Sequence, residues 1–202
     1  MTRRDIERFF AALSKYWRTP LDALVIGGAA AVIAGGTRPT IDVDFEATLR
    51  DPRRPEDRDL LAGAMTRAEA ASGVTAQFSE DISGWSEIAM PPYRGTASRW
   101  RQFGSITVRI LEPSLYVLTK LRRGTADDLT DLLLVAKSSR LGWRRLAATC
   151  GEAVRLSPRS TVLGPFVKRV EHLFRVHGTA LWGPRFNPDT AITAFRRTAK
   201  LR

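Results

Sequence analysis

The chain has 202 residues, 44% of them hydrophobic and 26% charged, enough apolar sequence to bury a core as one domain or two small lobes. Thirty-two Lys and Arg against 21 Asp and Glu give a formal net charge of +11, weighted toward the C-terminal half, which favours encounter with a polyanion. No window approaches the roughly 20 uninterrupted apolar residues of a membrane span, the start Met1-Thr2-Arg3-Arg4-Asp5 is not an apolar signal core, and a single cysteine, Cys150, excludes an internal disulfide, so a cytoplasmic protein with no membrane partner is expected.

Ile6, Phe9, Phe10, Leu13 and Tyr16 recur at the spacing of one helix face, so a helix opens the chain and ends at Thr19-Pro20. Leu21 to Ile26 reads as a short strand stopped by Gly27-Gly28. Ala29 to Ala34 follows as a small apolar helix closed by Gly35-Gly36. Thr40 to Ala47 alternates, with Ile41, Val43 and Phe45 on one face and Asp42, Asp44 and Glu46 on the other, which predicts a half-buried strand with an acidic side. Arg50 to Glu56 carries two prolines and reads as a loop, Asp57 to Ser72 as a helix, and Val74 to Phe78 as a strand. Glu80 to Gly104 gives no readable pattern. Ser105 to Leu111 alternates again and closes the sheet before Glu112-Pro113 starts a helix. Thr125-Ala126-Asp127-Asp128, Ser157-Pro158 and Asn187-Pro188 read as three further helix starts, predicting a bundle of about four or five helices. The expected organisation is an α/β (α+β) core over residues 1–112, built on a mixed sheet, and a helical lobe over 113–202.

Two features of the first lobe carry chemistry. Residues two apart on a strand project to the same side, roughly 6 to 7 Å apart, so Asp42 and Asp44 converge without any loop rearrangement. Like charges held that close raise a pKa or recruit a metal, and hard oxygen ligands next to a phosphate-bearing substrate suit Mg2+. Gly27-Gly28 ends a strand where a helix begins, so backbone amides there approach an anionic group. A glycine pair alone makes a turn, and an alternating acidic strand alone makes a solvated edge. In one βαβ unit, joined by Thr37-Arg38-Pro39-Thr40, the two together point to a triphosphate and a metal in a single site.

The stretch Val25-Ile26-Gly27-Gly28-Ala29-Ala30-Ala31, followed by Arg38-Pro39-Thr40-Ile41-Asp42-Val43-Asp44-Phe45, resembles the first motif of the DNA polymerase β nucleotidyltransferase superfamily. Within it, the AbiEii and MenT-like toxin nucleotidyltransferases are the nearest match. A second stretch, Leu115-Tyr116-Val117-Leu118-Thr119-Lys120-Leu121 and then Ala126-Asp127-Asp128-Leu129-Thr130-Asp131-Leu132, is similar to that group's later lysine and Asp-x-x-Asp motifs. The resemblance runs from about Leu21 to Lys137. It implies a nucleotidyltransferase core that moves a nucleoside monophosphate from an NTP to an acceptor and releases pyrophosphate. Asp42 and Asp44 would ligate Mg2+, Gly27, Gly28 and Thr40 would contact the nucleotide, and Lys120 would neutralise the triphosphate. It also implies a toxin of a toxin-antitoxin or abortive-infection system, a tRNA 3′ end as acceptor, and a cognate antitoxin protein as a partner.

The superfamily commonly carries a third carboxylate on a later strand, and Thr107-Val108-Arg109-Ile110-Leu111 places Arg109 there. Asp131, Asp128 or Glu112 are the candidates to replace it. Asp131 is preferred because it closes the Asp-x-x-Asp turn beside Asp128. A basic wall from Arg122, Arg123, Lys137, Arg140, Arg144, Arg145, Lys168, Arg169 and Arg175 would suit RNA. Two readings compete with transfer to RNA: a catalytically silent binder of nucleic acid or protein, supported by Arg109, and transfer to a small-molecule hydroxyl, disfavoured by the basic helices. His172 and His177, the only histidines, have no sequence partner for a zinc site, and no phosphate loop or Ser-His-Asp arrangement is readable.

Overall fold

The computed structural model describes residues 1–36, 38–49 and 55–201. Thr37, in the expected spacer, and residues 50–54, in the expected charged loop, lie outside the described residues. The chain divides into two compact units, one formed by Met1–Ile82 with Thr96–Leu111 and the other by Ser83–Gly95 with Glu112–Arg202. The segment 83–95, inside the stretch without readable pattern, therefore goes with the helices.

The first unit opens with α1 (Arg3–Tyr16), started by a reciprocal cap in which the Thr2 hydroxyl accepts from the Asp5 amide and the Asp5 carboxylate accepts from the Thr2 amide at 2.7 Å. β1 (Leu21–Val25), α2 (Gly27–Ile33), β2 (Asp42–Thr48), α3 (Pro55–Ser72), β3 (Thr75–Ser79), β4 (Ser98–Phe103) and β5 (Ile106–Ile110) follow. The strands form one mixed sheet in the order β3-β2-β1-β5-β4. β1 runs antiparallel to β2, so the expected βαβ unit is a reversal rather than a parallel crossover. The parallel pairs are β1 with β5 and β2 with β3.

Register sorts the sheet into two faces. Val25 lies opposite Phe45 and Ile110, and Ala23 opposite Ala47 and Val108, which makes one face apolar. Phe9 and Phe10 of α1 close over it, with ring centroids 6.3 and 5.6 Å from that of Phe45. The other face carries Asp42, Asp44 and Glu46 of β2, with Thr75, Gln77 and Ser79 of β3 beside them and Asp22, Thr107 and Arg109 farther along. Two details of β2 differ from the alternation expected. Ile41 precedes the strand and is 87% exposed, whereas Glu46 is buried. Glu46 tolerates burial because its Oε2 accepts the Ile82 amide at 2.8 Å. β4 went unanticipated because Ser98–Phe103 is a mostly exposed edge strand without apolar alternation; Gly104, at φ +54, turns it into β5.

The second unit is built from α4 (Pro113–Arg123), α5 (Ala126–Ser138), α6 (Trp143–Leu156), α7 (Leu163–His172), a π-helical turn (Leu173–His177), α8 (Gly178–Trp182) and α9 (Pro188–Ala199). Gly124, left-handed at φ +72, stops α4, and the Thr125 hydroxyl with the Asp128 carboxylate caps α5. α6 packs on α9, where a Cβ on Gly151 would stand 2.6 Å from the Thr198 Cβ. Asn187-Pro188 starts α9 as its pattern predicts. Ser157-Pro158 does not start a helix: Ser157 caps the end of α6, its hydroxyl turned back to donate to the Ala153 carbonyl and to accept the Ala89 amide. Among the described residues no helix is long and apolar enough to cross a membrane.

Candidate active site

The glycine pair is the first turn of α2, rather than a turn that precedes it. Gly27 takes a left-handed φ of +62, which favours glycine, and a Cβ there would stand 2.6 Å from Asp44 Oδ2. A Cβ on Gly28 would stand 2.6 Å from the Thr40 hydroxyl oxygen and 3.6 Å from an Arg38 guanidinium nitrogen. The two glycines are thus bare because the side chains of the Arg38-x-Thr40-x-Asp42-x-Asp44 segment close onto their backbone. The Ile26 amide donates to the Asp44 carbonyl at 2.9 Å, which ties the end of β1 to β2 at the level of the carboxylate.

Asp42 and Asp44 share the polar face of β2 and are each half-buried, with Thr75 and Gln77 of β3 as their register partners. Gly27, Gly28, Thr40, Asp42 and Asp44, five of the residues expected to form the site, therefore gather at one end of β2. Arg38 joins them. Its position in the motif was the only sequence signal for it, since a lone arginine in a spacer carries no periodicity. Among the described residues no group of three or more His, Cys, Asp or Glu side chains is arranged to hold a metal ion.

Lys120 and Asp131 belong to the second unit. They come together there, with Lys120 Nζ donating to Asp131 Oδ2 at 2.7 Å and lying 3.3 Å from Asp128 Oδ1. All three side chains are buried, Lys120 at 3% exposure. Burial by itself raises the Asp128 pKa, but hydrogen bonds from Arg123 and Thr125 and the Lys120 charge outweigh it and hold the carboxyl at about 2. The cation expected to neutralise a triphosphate is therefore balanced by two carboxylates of its own helical hairpin, and the carboxylate preferred as the third metal ligand is one of them. Glu112 accepts from the Ser114 hydroxyl and lies 3.5 Å from Arg145.

Arg109 holds the β5 position where the superfamily pattern would place an acid, opposite Leu24, and donates through Nε to Asp22 Oδ1 at 2.9 Å. The two histidines do meet: the π-helical turn brings the His172 and His177 ring centroids to 6.2 Å. No family model, curated protein or solved structure matches this chain.

Proposed function

We propose that the first unit is a magnesium-dependent nucleotidyltransferase core. The observation that carries this reading is the closure of the Asp44 carboxylate and the Thr40 hydroxyl onto the bare backbone of Gly27 and Gly28, with Asp42 on the same face of β2. Magnesium fits that donor set, because it binds through one or two carboxylates, takes the rest of its oxygens from water and substrate phosphates, and needs no dedicated protein cage. When bound it supplies the positive charge that phosphoryl transfer requires.

The chain's own residues do the remaining work. Asp42 and Asp44 fix where an NTP can settle, Thr40 offers a hydroxyl, and Arg38 brings a bidentate cation to the phosphate side of the turn. An acceptor hydroxyl then attacks the α-phosphorus and gives up its proton to solvent, the bond from that phosphorus to the bridging oxygen breaks, and pyrophosphate leaves. Most of the catalysis in such a step is positioning and charge neutralisation. The net charge of +11 favours RNA as the acceptor, and a tRNA 3′ end, with a role as the toxin of a toxin-antitoxin pair, follows from the motif resemblance.

The test is incubation of the protein with Mg2+ and each of the four labelled NTPs, with total tRNA or total protein as acceptor. Label on RNA that disappears with Asp42→Asn is the expected result. Label on neither acceptor with any NTP defeats the reading.

A second reading is a catalytically silent protein that binds nucleic acid or a partner protein. The pairing of Lys120 with Asp131 and Asp128, and of Arg109 with Asp22, favours it. It requires that Mg2+ with any NTP leave the melting temperature unchanged.

A further inference from the structure

A cavity of about 450 Å3 opens within the second unit between the α4–α5 hairpin and α7. Its size is that of small-molecule sites, which run from roughly 300 to 1,000 Å3. Leu121, Leu129, Leu132 and Leu173 form its apolar floor, and no acidic residue lines it. Such a floor gains nothing from water and gains free energy from an apolar occupant.

The walls are held in place. Arg169 of α7 reaches across the hairpin and donates to the Leu121 carbonyl at 2.9 Å and the Arg122 carbonyl at 3.1 Å, two of the carbonyls that the end of α4 leaves without a helical partner. Gly124 makes room for it, since a Cβ there would stand 2.7 Å from Arg169 Cδ. The cavity is thus preformed. Lys120 and Arg169 also line it, but their donors are committed to Asp131, Asp128 and the α4 carbonyls. Lys168 and His172 are different: one turn apart on α7, both line the cavity and both are exposed, and neither has an ion pair among the described residues.

An apolar floor with an ammonium and an imidazole at one rim matches one kind of occupant. We propose that this cavity binds a small amphiphilic anion, an apolar body carrying a single carboxylate, with the body on the leucines and the acid group between Lys168 and His172. The proposal is independent of the transfer chemistry above.

The full chain would be titrated with 8-anilinonaphthalene-1-sulfonate, an apolar anion whose fluorescence rises on burial, and then challenged with decanoate, decanol or AMP. Saturable binding is expected, with decanoate displacing the probe at least about tenfold better than decanol, the worth of one charge-assisted hydrogen bond. Lys168→Glu, at an exposed position that should fold normally, is expected to weaken decanoate about tenfold while leaving decanol unchanged; Leu129→Glu is expected to abolish both. Absence of saturable binding overturns the proposal. So do equal displacement by decanol and decanoate, insensitivity to Lys168→Glu, and displacement by AMP but not by decanoate.

Discussion

The Lys120 ammonium lies 2.7 Å from the Asp131 carboxylate, and both side chains are buried in the helical hairpin. A buried ion pair contributes little against an apolar replacement, yet removing one partner strands the other. Lys120→Met should cost about 3 to 5 kcal/mol in urea denaturation, since it removes the buried ammonium that pairs with Asp131 and Asp128. Asp131→Asn should cost less, about 2 kcal/mol, because Lys120 keeps Asp128 at 3.3 Å. Unchanged stability in both variants, with lost transfer activity, would instead assign the pair to catalysis.

Asp128 makes the hairpin acid-sensitive. Its folded pKa of about 2 lies below the ordinary 3.8, so its contribution is complete above pH 4 and is lost as the pH falls through about 2. Asp128→Asn removes the charge at every pH. The difference in melting temperature between wild type and variant should therefore shrink steadily from pH 5 to pH 2; a constant difference would mean that the carboxylate is not the source.

Gly27→Ala should be worse than an ordinary helix substitution. It combines a left-handed φ with a contact at 2.6 Å to Asp44 Oδ2, so about 1 to 3 kcal/mol of strain is expected. Because the carboxylate must move to admit the methyl group, Mg2+-dependent NTP binding should fall with it. Thermal shift with and without Mg2+ and NTP separates the two effects.

Asp42→Ala and Asp44→Ala should abolish nucleotide transfer while the metal-free protein keeps its fold, because two like charges on one strand face oppose each other. A large fall in melting temperature without metal would make these acids structural.

Glu46 is the contrasting acid of the same strand. Glu46→Ala should cost about 1 to 3 kcal/mol by removing the buried carboxylate that accepts the Ile82 amide, and Glu46→Gln, which retains an acceptor oxygen, should cost less. Neither should change the Mg2+ dependence of NTP binding. Calorimetry on the three proteins decides it.

Much of this protein is local in origin and was therefore legible in the chain. The first helix follows from the spacing of Ile6, Phe9, Phe10 and Leu13, helix starts at Thr125 and Asn187 follow from side-chain oxygens capping amides three residues on, and the same-side placement of Asp42 and Asp44 follows from the two-residue period of a strand. Tertiary structure alone decided the rest, because it depends on partners far away in sequence. β4 exists through its pairing with β5, Glu46 is buried where the Ile82 amide reaches it, and Ser157 ends a helix instead of starting one, its hydroxyl turned back to the Ala153 carbonyl and the Ala89 amide. Lys120 and Asp131 show the division most sharply. Their spacing across the break at Gly124 permits a hairpin that returns one to the level of the other, but only packing determines that the two charges neutralise each other out of solvent, where a buried ion needs its counterion close at hand.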